Sequence, residues 1–349
     1  MKKIGILTLN GNFNYGNKLQ NFAMKKILED YQFKVFTIKY LLNPIYVLNE
    51  LFREKTLNEK IRLAKFKSFN KKLNYKFLPR FQFQKLRVWN SYDFVIYGSD
   101  QIWKCGKKGI SNIFSGYLFP KECNIAYAAS FGVSEIPTCY QKGYREMINQ
   151  FKDISVREEA GKKIISSLNP KINAEIVLDP TLLVDSNSWN DLSTEIPILI
   201  GKRYILNYFL GTPSDDKKKA IEKIARDNNC IIIDLLDKNC EYYSSGPSEF
   251  LYLEKNAFLI CTDSFHSCVF AFIFDRPFIV FDREDSNENM GSRIDTLLST
   301  FELQDRKYNG CIKKECLSHD YSTGYKILEE KKKQSFVFLE KALCIKDSD

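Results

Sequence analysis

Short apolar runs that end in polar residues, separated by helical stretches, constrain this chain most, because a strand apolar on both faces is stable only when both are covered. The first such unit is a run at 4–9, a polar loop at 10–17, an amphipathic stretch at 18–30 and a second run at 35–40. It reads as one right-handed βαβ unit. Further strand-like runs follow at 93–97, 124–129, 154–158 and 175–178, with a helix at 142–150. After a mixed stretch at 186–203 the alternation resumes. It gives strands at 204–209, 230–235, 257–261 and 278–281, helices at 214–228, 248–255, from 264 and from 292, and a long last helix at 324–344. The pattern predicts an α/β fold with parallel sheets. A chain of 349 residues exceeds one ordinary core, so the lapse near 186–203 divides two domains, 1–190 and 200–322, with a helix and tail at 323–349.

The net charge of +9 is concentrated in one place. Between Arg53 and Arg87 stand twelve Lys or Arg and only Glu54 and Glu59, within a basic helical insertion at 45–90 of the first domain. Leu57, Ile61, Leu63, Phe66, Phe69 and Leu73 space themselves there as an amphipathic helix would. Such a helix is either a solvated basic face or a surface for anionic lipid headgroups. Without aromatic platforms or an RNA-binding signature, nucleic acid is not the expected partner.

No apolar stretch approaches the ~20 residues that cross a bilayer, so membrane contact is expected to be peripheral, at the inner face. The apolar run after Lys2-Lys3 is too short for a secretory signal. Ten cysteines without a Cys-x-x-Cys pair read as reduced cytoplasmic thiols, mostly buried, and no metal site is expected.

Polar residues gather where strands end. Gly98-Ser99-Asp100-Gln101 follows one strand, Ser130-Phe131-Gly132 another, and Asp179-Pro180-Thr181 a third. In open parallel sheets that carboxyl edge binds ligands. The loop at 10–17 lacks the Gly-x-Gly-x-x-Gly spacing, which argues for a ligand loop other than a dinucleotide site. At Cys261-Thr262-Asp263-Ser264-Phe265-His266-Ser267 a buried strand hands over to an apolar helix. Ser264 can cap that helix, its N–H groups can receive a phosphate, and His266 in the first turn can meet the same anion. The other reading is a capping serine beside a structural histidine.

Taken together, Asn-Tyr-Gly-Asn-Lys-Leu-Gln (14–20), Tyr-Gly-Ser-Asp-Gln-Ile-Trp (97–103), Ile-Ser-Val-Arg-Glu (154–158), Val-Leu-Asp-Pro-Thr-Leu-Leu (177–183) and Thr-Asp-Ser-Phe-His (262–266) resemble the polysaccharide pyruvyl transferase family over about residues 1–285. The resemblance implies a GT-B-like α/β fold of two Rossmann-like domains facing a cleft. It also implies transfer of a pyruvyl group from phosphoenolpyruvate, as co-substrate without further cofactor, to a sugar. The product would be a ketal on a surface polysaccharide precursor, with a lipid-linked oligosaccharide as acceptor. Arg157 matches the family's arginine and His266 its histidine, both implicated in holding or activating the donor; Ser267 stands where many relatives carry glycine.

On that reading Asp263, Ser264, Phe265, His266 and Ser267 form the donor side with Arg157. A helix start and a forked guanidinium suit the donor's phosphate and carboxylate. The helix dipole opposes an imidazolium at His266 and bound phosphate favours it, so the donor would charge its own general acid. Asp100 would act as base on the acceptor hydroxyl, or simply cap a helix. Asn14, Tyr15, Asn17, Gln20, Ser99 and Gln101 would shape the sugar site, although Asn17 and Gln20 could equally be ordinary first-turn residues. Asp263 could serve only to fix its turn, and His319 reads as surface. A nucleotide-sugar glycosyltransferase shares the architecture, but the one Asp-x-Asp triplet is Asp347-Ser348-Asp349 at the very end. A non-catalytic sugar- or lipid-binding protein is the third possibility.

Overall fold

A computed structural model describes residues 1–11, 13–40, 54–78, 92–105, 111–283, 292–312 and 314–345. The triplet at 347–349, Arg53 and the basic residues beyond Leu78 lie outside them. The chain divides into two compact units, Met1–Glu54 with Asn70–Leu183 and Glu330–Asp349, and Lys55–Phe69 with Val184–Glu329.

The first unit is built on seven strands: β1 Lys3–Leu7, β2 Lys34–Tyr40, β3 Tyr75–Leu78, β4 Phe94–Tyr97, β5 Asn124–Ala129, β6 Asp153–Val156 and β7 Glu175–Ile176. All pair in parallel, in the order β3-β2-β1-β4-β5-β6-β7. Its helices include α1 Tyr15–Asp30, α3 Thr138–Ile148, α4 Glu159–Leu168 and the single turn α5 Pro180–Leu183, while α2 Leu57–Asn70 belongs to the second unit. Ile4, Ile6, Val95, Ile96, Ile125 and Val156 are almost wholly buried, as strands covered on both faces require. On one face Trp103 sits against Phe131 and Phe151, with ring centroids 5.2 and 5.3 Å away, and its indole N–H donates to the Phe114 carbonyl. The strand order reverses between β1 and β4, and the loops after those two strands therefore flank a crevice.

The second unit holds α6 Ser186–Leu192, β8 Tyr204–Tyr208, α7 Asp215–Asp227, β9 Ile231–Asp234, α8 Pro247–Asn256, β10 Leu259–Thr262, α9 Phe265–Ile273, β11 Phe278–Val280 and α10 Ser292–Thr300. Its parallel sheet runs β11-β10-β8-β9, so the order reverses between β8 and β10. The last helix, α11 Ser322–Ala342, gives residues to both units.

The basic insertion is where the sequence reading needs most correction. Residues 75–78 are not helical but form β3, an edge strand on β2. Helix α2, expected in the first domain, groups with the second unit and buries Glu59, Arg62, Phe66 and Phe69 there, leaving Leu57 and Ile61 exposed. Arg62 decides that face. Its guanidinium carbon lies 4.6 Å from the Tyr243 ring centroid and 5.7 Å from that of Phe66, and it donates to the Tyr243 carbonyl, a buried cation held by aromatic faces. Lys65–Glu249 and Lys238–Glu59 ion pairs flank it at 2.8 and 3.1 Å. Of the apolar residues of that helix, Phe66 and Phe69 are thus covered by protein while Leu57 and Ile61 stay exposed.

Two smaller expectations also change. Among the ten free cysteines only Cys261 and Cys268 are buried. His319 is not a bare surface residue, since its Nε2 lies 3.0 Å from Asp275 Oδ1 and its ring packs on Tyr321.

Candidate functional site

Two polar clusters occupy the two sheet reversals. In the first unit Gly98, with φ +124°, turns the chain after β4; a Cβ there would come within 2.1 Å of the Tyr127 carbonyl oxygen. Glycine is thereby required, and Ser99 and Asp100 are delivered to the edge. Gln20 braces this loop to the β1 loop, donating to Thr8 Oγ1 at 2.7 Å and accepting from the Ser99 N–H at 3.2 Å. Thr8 in turn donates to the Ser99 carbonyl. Gln20, Thr8 and Ser99 are fully buried, so their polar atoms serve one another.

Beside this brace lies a charged knot. The Arg157 guanidinium reaches Asp179 Oδ2 at 2.6 Å, Asp100 Oδ1 at 3.6 Å and Glu158 Oε2 at 3.8 Å. Ser99 Oγ donates to Asp179 Oδ2 at 2.6 Å, Thr181 supplies its N–H and hydroxyl to Asp179 Oδ1, and Ser130 Oγ donates to Glu158. Burial works to lower the Arg157 pKa, but Asp179, Asp100 and Glu158 outweigh it and hold the group more firmly charged than usual. Arg157, expected to fork onto the donor, hydrogen-bonds Asp179 and lies within ion-pair distance of Asp100, whose Oδ1 also accepts from the Gln101 N–H.

The other acceptor-side residues divide. Asn14 caps α1 by accepting from the Asn17 N–H at 3.0 Å. Tyr15 is fully buried and Asn17 nearly so, and the Asn17 carbonyl accepts from Gln20. Gln101 is half-buried, its side chain laid over Gly132 where a Cβ would meet Nε2 at 2.4 Å. Asp100 and Gln101 are thus brought together at the edge, whereas Gln20, Ser99 and Tyr15 lie beneath it.

In the second unit Asp263, after β10, ties the loop after β8. Its carboxylate accepts from the N–H groups of Leu210 at 2.6 Å and Gly211 at 2.8 Å, and pairs with Arg283 Nε at 3.0 Å. Arg283 also donates to the Asp263 carbonyl. Ser264 occupies the N-cap of α9 without capping through its hydroxyl; its own N–H donates instead to Thr262 Oγ1 at 3.0 Å. The Thr262 hydroxyl thus holds the turn before the helix, and the side-chain cap expected of Ser264 does not form. Phe265 packs edge-on against the His266 ring, centroids 5.2 Å apart, and both are almost buried. Ser267 points inward and donates to Glu254 Oε1 of α8 at 2.6 Å, so it braces two helices and is not directed at a ligand. Burial pushes the Glu254 carboxyl well above its usual range, only partly offset by the Ser267 bond.

Sequence reasoning placed Asp179 at the carboxyl edge and Glu158 in a motif without giving either a role, and it missed Arg283 and Glu254. Arg283 follows a strand, as the carboxyl-edge rule would have flagged; Glu254 lies on a helix and carried no such signal. Among the described residues no group of His, Cys, Asp and Glu is arranged to hold a metal ion, and no helix is long and apolar enough to cross a membrane. The second cluster combines an arginine, an imidazole and the first turn of a helix, whose N–H groups lack intrahelical partners, and so favours an anion. The first combines a positioned carboxylate with amides, and so suits a hydroxyl-bearing ligand.

A family model described as polysaccharide pyruvyl transferase matches residues 14–286. No curated protein matches the sequence. Among solved structures, the complex of S. aureus MnaA with UDP is 11% identical, covering 100% of this chain and 99% of that one with a TM-score of 0.52. Arabidopsis thaliana UGT89C1 complexed with UDP-L-rhamnose is 8% identical, covering 98% of each chain with a TM-score of 0.54. At such identities the likeness concerns fold, and the fold is the GT-B-like pair of α/β domains.

Proposed function

The chain belongs to the polysaccharide pyruvyl transferase family, and from that premise we propose that it moves the enolpyruvyl carbons of phosphoenolpyruvate onto two hydroxyls of one sugar, closing a ketal on a lipid-linked polysaccharide precursor. The reaction balances without a redox partner. The donor methylene gains a proton, the central carbon bonds the first hydroxyl oxygen, phosphate departs with the second proton, and the second hydroxyl closes the ring.

The observation that carries the donor half is the Asp263 tie. It fixes Arg283 and the loop after β8 beside the first turn of α9, where His266 stands. Arg283 and the helix N-terminus would receive the phosphate, and His266 would protonate the methylene carbon or the leaving phosphate. In the first unit Asp100 would take the acceptor proton, with Arg157 acting as a positioning residue. General acid help of this kind is worth about 10²–10⁴ in rate.

Purified protein incubated with phosphoenolpyruvate and lipid-linked sugars should release phosphate and add a pyruvate-sized mass to the sugar, whereas nucleotide sugars as donors should give neither. His266→Asn should lower turnover by about 10²–10⁴ with an unchanged melting curve. Near-normal turnover in that variant would remove His266 from the chemistry. Transfer from a nucleotide sugar would remove the donor assignment.

A further inference from the structure

Glu254 is fully buried on α8, and the hydrogen bond it makes there is the one that Ser267 donates to Oε1 at 2.6 Å. Among the described residues Oε2 meets no donor, and no Lys, Arg or His pairs with the carboxyl. Around it on the same helix Phe250, Leu251 and Leu253 are fully buried as well. A carboxyl in such a place costs stability, since an apolar side chain of its size would need neither desolvation nor a partner.

The residue it holds is the informative part. Ser267 is the third residue of α9, directly after His266, and is itself fully buried. A bond from α8 to Ser267 therefore pins the first turn of α9, the turn that carries the imidazole. The rest of that helix is held by rings: Phe270 lies edge-on to Trp189 and Phe250, and Phe272 stacks with Phe301 and Tyr325. Apolar contact of this kind is non-directional and resists rolling of the helix only weakly. A short hydrogen bond has a preferred distance and angle.

We propose that Glu254 is a positioning residue: through Ser267 it sets the roll of α9, and with it the direction in which the His266 imidazole meets the donor. The inference rests on reading His266 as the acid that acts on the donor. It gives a carboxyl that weakens the helix interface a reason to be there, since stability is often forgone where a site needs fixed geometry.

Three variants of the whole protein separate positioning from packing. Ser267→Ala leaves the buried carboxyl without its donor, and should lower both the melting temperature and the kcat of phosphate release from phosphoenolpyruvate. Adding Glu254→Leu to it removes both polar partners, so the melting temperature should return to the wild-type value or exceed it. The kcat should not return. It should stay about ten- to a hundredfold low, the effect of displacing a reacting group by up to about 1 Å, with little change in KM because the contacts assigned to Arg283 stay in place. Glu254→Gln should retain turnover, because its amide oxygen accepts the same bond.

The imidazole itself gives a readout that needs no turnover. The chain has two histidines, so isotopic labelling of histidine nitrogen yields two ring systems by NMR, and His266→Asn assigns them by removing one. Wild type and Glu254→Gln should show the His266 ring as the same single set of signals, and the double variant should show it shifted or split. Ring signals unchanged in the double variant would overturn the positioning role, and so would a kcat that recovers together with the melting temperature. Should wild type release no phosphate, the pyruvyl reading falls and the ring signals alone decide the role of Glu254.

Discussion

Replacing Arg157 by Met tests whether the charged knot holds the first unit together. The guanidinium is 4% exposed and faces carboxylates at 2.6, 3.6 and 3.8 Å, the nearest of them wholly buried. Each such pair is worth about 4 kcal/mol at an effective dielectric near 20, much of it offset by the desolvation that methionine avoids. What remains is the cost of three carboxylates left to face one another, about 3–5 kcal/mol. In a unit of this size that lowers the melting temperature by roughly 6–20 °C.

The deficit has a pH signature. Without the guanidinium, the carboxylates it paired with repel one another, which penalises their ionised forms in the folded state. Stability is therefore best retained below about pH 4 and is lost as pH rises and they ionise. Denaturant melts followed by circular dichroism from pH 5 to pH 8 should show the gap between variant and wild type widening with pH. A residue kept mainly to grip a ligand is often poorly placed for stability. An Arg157→Met protein as stable as wild type, or a gap that does not depend on pH, would refute the positioning role.

Glu254→Gln should stabilise the protein at pH 8 and change little at pH 4. Burial raises the carboxyl's folded-state pKa above its unfolded value, so its contribution is complete below the unfolded pKa and is lost as pH rises through the raised folded value; thermal melts across that range check this. Asp263→Asn should raise the KM for phosphoenolpyruvate about tenfold or more, because it loosens Arg283 and the Leu210–Gly211 loop together; phosphate release measures it. Binding to anionic vesicles, if it accompanies a lipid-linked acceptor, should weaken steeply between low and physiological salt. Because Phe66 and Phe69 are buried, salt-resistant binding would mean that α2 leaves its place.

The sheets were legible because their strands are apolar on both faces, which leaves a signature that survives without knowledge of partners. Strand β3 was not, since Tyr75-Lys76-Phe77-Leu78 is short and embedded among lysines whose spacing suggested a helix. The face of α2 was misread for a related reason. Arg62 and Glu59 face inward through aromatic and ionic partners nearly two hundred residues away in sequence, and hydrophobicity does not encode those partners. The site showed the same division. That Asp100, Asp263 and His266 stand at a sheet edge follows from local pattern; that Gln20 and Ser99 face each other does not, because an amide serves a brace or a sugar equally well. The cap expected of the Ser264 hydroxyl does not form, while the Thr262 hydroxyl takes the Ser264 N–H in the turn before it, a choice only the folded geometry makes.

Helix α2 enters the chain between β2 and β3 yet completes the other unit. No single cut therefore yields two whole domains. A fragment ending near residue 190 would carry Phe66, Phe69 and the Arg62 cation with nothing to cover them, and a fragment starting near residue 200 would leave Tyr243, Glu249 and Lys238 without their mates. Ribosomal synthesis meets the same order: α2 emerges well before the residues that receive it, and must wait for them.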